Sequence, residues 1–338
     1  MESHKRTLVV IGASAGGVEA LSRLVADLPP DLPAAVAIVL HVSPGASLLP
    51  AILDRRARLP VAAASDGEPL APGRIYVAPP DHHLVVGDSA FHLTHGPKEN
   101  GHRPAVDRLF STAADALGHA VVGVILSGTL DDGSAGLAEI KLHGGAALVQ
   151  DPADALYPSM PAHAIERVEV DRVVPLARMG EAICDLVMDR PSNPGASETP
   201  EDPRRPEPRG GELDAGPAMR EGDALGLSCP ECGGALWSVG HGAVQRFRCR
   251  IGHAYSDQAL LEEQGKALEI AMWTALRALE ERSAVLRRMA SRAEAGGHSS
   301  SARRFRDHAG VLDERAAVIR DQVVPPAIEP EPDLAAEG

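Results

Sequence analysis

The chain has 338 residues, and 33 Lys and Arg against 47 Asp and Glu give a formal charge of −14, which argues against a protein that works mainly by coating nucleic acid or an anionic membrane. With 44% hydrophobic but only 3% aromatic residues, its cores are built from Ala, Val, Leu and Ile, and the length allows two or three domains. Four cysteines are too few for a disulfide scaffold, no signal core follows the N-terminus, and no apolar run approaches the roughly 18 residues of a membrane span, so a cytoplasmic chain without membrane insertion is expected.

Residues 1–190 read as one α/β domain. Short β-branched runs alternate with helical patterns, the signature of a doubly wound, mostly parallel sheet with helices on both faces. Strands are predicted at 7–11, 36–40, 74–78, 120–126 and 147–150, helices at 18–28, 105–116 and 134–142, and an antiparallel strand at 89–94. Residues 191–225 hold seven prolines among acidic residues and glycines, a composition that predicts a disordered linker. A Cys/His module follows at 226–256. Beyond it, 257–324 places Leu261, Leu268, Met272, Leu276, Leu279, Leu286 and Met289 at helical spacing, breaks at Gly296-Gly297, and resumes with Phe305, Val311, Leu312, Ala316 and Ile319. A helical hairpin burying its own stripe is expected. A dimer through these helices is the other reading, disfavoured because clean heptads fail at Arg282. Residues 325–338 form an acidic tail expected to be disordered.

The first strand runs into Gly12-Ala13-Ser14-Ala15-Gly16-Gly17. A dinucleotide fingerprint would want glycine where Ser14 stands and an acid at the end of the second strand, where His41 stands. A nucleophile elbow, G-x-S-x-G, fits: the glycines relieve a sharp strand-to-helix turn and Ser14 projects above the sheet edge. The N–H groups at the start of the following helix, Ala15 and Gly16, face a developing oxyanion. His41 is the candidate base, because carboxyl ends of neighbouring parallel strands converge on one crevice. The strand at 120–126 leads to Ser127-Gly128-Thr129-Leu130-Asp131-Asp132-Gly133, where either aspartate could orient the imidazole, or both could cap the next helix.

Together with Pro72-Gly73-Arg74-Ile75-Tyr76-Val77-Ala78-Pro79, His102-Arg103-Pro104-Ala105-Val106-Asp107, Gly144-Gly145, Gln150-Asp151 and Met160-Pro161, these motifs resemble the catalytic domain of the CheB-type chemotaxis protein-glutamate methylesterases over nearly all of residues 7–190. The resemblance implies hydrolysis of glutamate γ-methyl esters on methyl-accepting receptor proteins, often with glutamine deamidation, and no cofactor for catalysis. It implies Ser14 as nucleophile, His41 as base and, in the Asp-Gly step, Asp132 as the orienting acid. Thr129 stands where the family usually has the Met to which an oxyanion contact is attributed. Arg103 is expected to contact the acidic surroundings of the substrate. The chain begins six residues before its first predicted strand, which implies no receiver domain in cis. The rival from another class is a non-catalytic module that binds a receptor or signalling partner through the same crevice.

Cys229-Pro230-Glu231-Cys232 followed by Cys249-Arg250-Ile251-Gly252-His253 gives C-x2-C-x16-C-x3-H, the spacing of a structural zinc ribbon held by Cys229, Cys232, Cys249 and His253, with His241 as the other possible fourth ligand. Arg246, Arg248 and Arg250 alternate along one face, which reads as solvated, and no nucleic-acid partner is expected. The linker's reach suggests that the ribbon tethers a partner, so that its removal would leave small-ester turnover intact.

Overall fold

The computed structural model describes residues 7–42, 45–87, 89–189, 224–239 and 245–323. The tail at 325–338, His241, and the linker up to residue 223 lie outside the described residues. Residues 224–225, read as linker, instead open a strand. The chain forms two compact units, one up to Leu261 and one from Glu262 onward.

In the first unit the elements run β1 (Thr7–Ala13), α1 (Gly17–Asp27), β2 (Ala34–Leu40), α2 (Leu49–Asp54), β3 (Val61–Ala63), β4 (Glu68–Pro69), β5 (Arg74–Val77), β6 (His83–Val86), β7 (Ala90–Thr94) and α3 (Val106–Leu117). They continue with β8 (Val121–Ile125), α4 (Ser134–Leu142), β9 (Ala146–Gln150), α5 (Ser159–Arg167), β10 (Arg172–Val174) and α6 (Met179–Met188). The main sheet has the order β10-β9-β8-β1-β2-β5-β3 with every described pair parallel, while β4, β7 and β6 form a small antiparallel sheet. The β1 run Leu8 to Ile11 is fully buried because both faces are covered. Val9, Ile11 and Ala13 join Leu21, Leu24, Met179 and Ile183 in one core, and Leu8 and Val10 join Leu109, Phe110, Leu137 and Met160 in the other. The chain builds outward from β1 on one side and then crosses to β8 on the other. The crevice at this topological switch point, where open α/β sheets bind ligands, is flanked by the carboxyl ends of β2, β1 and β8.

The Cys/His segment forms a four-stranded antiparallel sheet, β11 (Ala224–Ser228), β12 (Ala235–Val239), β13 (Arg246–Cys249) and β14 (Ala254–Ser256), over a small core of Leu236, Phe247, Tyr255 and Leu260. It docks on the α/β fold: Ala254 bridges Glu99, and the Asn100 amide donates to the Ala254 carbonyl at 2.7 Å. The arginines read as a solvated face divide. Arg246 donates to Glu99 at 2.7 Å and lies 3.5 Å from Asp107, Arg248 lies 3.8 Å from Glu99, and only Arg250 is exposed. The reason is Glu99 itself, a carboxylate 5% exposed that needs positive charge around it.

The long helix α7 (Asp257–Ala295) begins in the first unit and continues into the second, where it pairs with α8 (Ser299–Val323). The two run antiparallel, as the ion pairs Arg306–Glu294 and Arg287–Asp313 and the pair Arg320–Glu280 step forward along one helix and back along the other. Leu276, Ser283, Ala290, Ala302, Ala309, Leu312 and Ala316 are buried, whereas Leu261, Leu268 and Met289 of the expected stripe are exposed. No described helix is long and apolar enough to cross a membrane.

Candidate active site

Ser14 follows the last residue of β1, His41 the last of β2, and Asp132 lies in the loop after β8. Three loops on neighbouring strand ends thus bring together residues far apart in sequence. His41 Nδ1 lies 3.2 Å from Ser14 Oγ, and His41 Nε2 lies 2.7 Å from Asp132 Oδ2. The tautomer follows from these partners. An ionised Asp132 accepts from Nε2–H, which leaves the Nδ1 lone pair facing the serine hydroxyl. The imidazole is therefore used in the opposite sense from the serine-protease arrangement, where Nδ1 faces the acid. His102 stacks on it, ring centroids 3.7 Å apart and planes 7° from parallel, and covers one face.

Asp132 is buried and receives four hydrogen bonds: His41 and the Val106 amide at Oδ2, and Asn100 Nδ2 and the Asp107 amide at Oδ1. Burial works to raise its pKa, but the His41 hydrogen bond, the charges of His41 and His102 and the Val106 amide outweigh it and hold the carboxyl well below the usual range. Neither adjacent aspartate caps the helix that follows through its side chain, as the sequence allowed. Asp131 pairs with Arg167 and accepts from Ser256 Oγ at 2.6 Å. The cap of α4 comes from Asp107, whose Oδ1 accepts the Gly133 and Gly136 amides at 3.0 and 2.7 Å.

At the elbow, Gly16 has φ 73°, and a Cβ there would meet Ser127 Oγ at 2.8 Å; at Gly128 a Cβ would press on Met160 Sδ at 2.5 Å and on Ser14 Cβ at 3.0 Å. The Ser14 amide donates to the Ser127 carbonyl at 3.0 Å, so it is directed away from any substrate. Among the described residues the amides of Ala15, Gly16 and Thr129 donate no hydrogen bond. Arg103 donates to Asp81 at 2.6 Å and to the Gly96 carbonyl at 2.7 Å, which ties down the 96–103 loop and occupies its donors. Asn100, His102 and Asp107 escaped the sequence reading, although two of them sit in a motif it quoted. No local pattern marks them, since their partners lie on other elements.

The four ribbon ligands converge. Cys229 Sγ and Cys249 Sγ lie 3.6 and 3.5 Å from His253 Nδ1, Cys232 Sγ lies 3.6 Å from Cys249 Sγ, and all four ligand atoms fall within 4.8 Å of one another. Tetrahedral zinc with ordinary ligand bonds requires ligand separations of about 3.5–3.8 Å, so the donor set fits it. The Tyr255 hydroxyl, 3.5 Å from Cys229 Sγ, can support the thiolate.

Residues 9–183 match the CheB methylesterase family. A protein-glutamate methylesterase/protein-glutamine glutaminase of Methanosarcina mazei is 36% identical over 191 residues, covering 54% of this chain and 52% of the relative. One from Anaeromyxobacter dehalogenans is 41% identical over 180 residues, covering 53% of each. The chain thus spans about half the length of these two curated relatives, whereas a relative from Leptospira interrogans, 38% identical over 182 residues, is covered over 93% of its length. The crystal structure of the Thermotoga maritima CheB methylesterase catalytic domain superposes with a TM-score of 0.53 at 35% identity, over 54% of this chain and 99% of that one. By sequence and by fold, the chain belongs to the CheB methylesterase family.

Proposed function

We propose that the chain hydrolyses γ-methyl esters of glutamate on methyl-accepting receptor proteins, with Ser14 as nucleophile, His41 as base and Asp132 as the acid that orients it. The observation that carries this reading is the continuous hydrogen-bond series from Ser14 Oγ through both ring nitrogens of His41 to a buried, ionised Asp132. Ser14 Oγ attacks the ester carbonyl while His41 Nδ1 takes its proton, and the imidazolium that forms is stabilised by Asp132. The oxyanion falls to the undirected amides of Ala15, Gly16 and Thr129. Collapse expels methanol, protonated from His41. Water, activated by the same nitrogen, then attacks the acyl-enzyme and releases the glutamate carboxylate and Ser14. A glutamine amide follows the same course with ammonia leaving. Arg103, tied to Asp81, serves the loop and is left out of the substrate contacts.

Zinc on Cys229, Cys232, Cys249 and His253 is the structural part of the proposal: four protein ligands leave no position for a reacting water. The division into an esterase domain at 1–190, a ribbon at 224–256 and a helical region from 257 belongs to the same reading, as does a reducing, cytoplasmic setting for its thiols. Methanol release from methylated receptor tests the assignment. Wild-type protein is expected to release it and Ser14→Ala to abolish it, and equal release by the variant overturns the reading.

A further inference from the structure

The ribbon and the first turn of α7 grip the loop that carries the active-site acid and the loop with Glu99 and Asn100 that backs it. Ser256 is the centre of this grip. Its amide donates to Asn100 Oδ1 at 2.8 Å, and Asn100 Nδ2 in turn donates to Asp132 Oδ1 at 2.8 Å and to Asp107 Oδ2 at 2.9 Å. Its hydroxyl donates to Asp131 and accepts the Ala259 amide at 3.1 Å, capping α7. Two residues on, Gln258 Nε2 meets His163 Nε2 at 2.8 Å, and His163 Nδ1 meets the Leu130 carbonyl at 3.0 Å, in the loop that flanks Ser14. From β13, Arg246 reaches Glu99 and Asp107. Glu99, Asp107 and Asp132 are all buried, and a cluster of three buried carboxylates holds its geometry only with positive charge nearby.

We propose that residues 246–258 are a positioning element of the active site: the metal-bound ribbon places Arg246 and Ser256 so that Asn100 keeps Asp132 on His41, and metal binding is thereby coupled to catalysis. This replaces the tether expected from the linker and reverses its consequence, since small-ester turnover then depends on the ribbon. The inference rests on the catalytic reading of Ser14, His41 and Asp132. The metal's part is confined to folding the ribbon, as in other small modules whose strands are joined by their ligands.

The test uses the full chain with its metal. Ser256→Ala, which keeps the amide on Asn100 and removes the hydroxyl that holds Asp131 and caps α7, is expected to lower kcat for a small nitrophenyl ester about 10-fold with KM unchanged, and Arg246→Met about 10²-fold, the scale of a misplaced catalytic group. Ser256→Thr, which keeps the hydroxyl, restores the rate. Stripping zinc with a chelator, followed by amide hydrogen exchange, gives a readout independent of turnover. The Asn100, Val106 and Asp107 amides, which bind Ala254 and Asp132, are expected to exchange faster together with residues 246–256. Exchange that rises in the ribbon but not at these three positions overturns the coupling, as does full kcat in Arg246→Met. Because exchange is read without substrate, it stands apart from the methanol assay, whose failure would overturn the catalytic reading instead.

Discussion

Asp132 accepts from His41, Asn100 and two amides, whereas Asp131 accepts from Arg167 and Ser256, so adjacent carboxyls on one loop face unrelated donors. Asp132→Asn turns an amide N–H either toward Asn100 Nδ2 and the Asp107 amide, which only donate, or toward His41 Nε2, where it favours the tautomer with its proton on Nδ1, and it removes the charge that holds Nε2–H. In other triads the equivalent change lowers kcat on the order of 10⁴-fold. Asp131→Asn instead leaves the half-buried Arg167 guanidinium short of its counter-charge, at a cost of about 1.5–3 kcal/mol in stability. Its kcat falls no further than the roughly 10-fold of Ser256→Ala, since both act through the same contact. Small-ester kinetics and thermal melts of the two variants check this, and the reverse ranking would exchange the roles of the two aspartates. Ser14 and His41 were legible in the sequence because each directly follows a predicted strand, whereas the residues alone left Asp131 and Asp132 open and only the Asp-Gly match of the family resemblance chose Asp132. Asn100 and Asp107 were not legible, because neither stands at the carboxyl end of a strand of the main sheet, and what ties them to the site is a hydrogen bond to Asp132 that no local pattern marks.

The helices α3 and α4 cap one another across the fold. Ala105, the N-cap of α3, has no side chain to offer, and Asp132 takes its first amides; Gly133 precedes α4, and Asp107 takes those. Capping rules read local sequence, so an exchange between two loops leaves no local sign. The exchange has an electrostatic cost that pH should reveal. Burial first, and then the charges of Asp132 and Glu99, push Asp107 from its ordinary 3.8 up to about 7, against the pull of Arg246 and the Gly136 amide. A native state that keeps a proton which the unfolded chain releases loses stability as pH rises between those two values, by up to about 1.4 kcal/mol per pH unit. Glu99 is displaced the other way, to about 2, as Arg246, Arg248 and Arg108 outweigh its burial, so its own slope lies at lower pH. His83 and His253, lowered by burial, work against the Asp107 slope below pH 6.5 but are common to wild-type protein and Asp107→Asn, so the difference between the two slopes belongs to Asp107. Urea unfolding across the range from 5 to 7 should show a slope that falls more steeply in wild-type protein than in Asp107→Asn. Equal slopes would mean that Asp107 is already ionised at pH 5. Short elements were the least legible: β3, β4 and β10 have two or three residues each, too few for an alternation to register.

The division into two compact units turns on a seam that large apolar residues do not mark. Leu276, Ser283 and Ala290 on α7, and Ala302, Ala309 and Ala316 on α8, recur every seven residues and are buried. The heptad is real but carried mostly by small side chains, which is why a stripe drawn through leucines and methionines broke at Arg282 and left Leu261, Leu268 and Met289 outside the seam. The exposed ion pairs along the hairpin add about 0.2–1 kcal/mol each and serve register more than stability. The seam therefore supplies most of the hairpin's cohesion, and it lies in the unit that starts at Glu262, while the Ser256 cap and Gln258 belong to the unit that ends at Leu261. A carboxylate forced into the seam by Ala309→Asp, at a position 1% exposed, should melt the hairpin at a cost of several kcal/mol. If the units are energetically separate, melting stops near the start of α7. Circular dichroism would then show loss of helix at a lower temperature than in wild-type protein, followed by a second transition for the α/β unit at its original temperature. Small-ester turnover would persist between the two. Turnover lost in step with the first transition would show instead that the active site depends on the hairpin as well as on the ribbon.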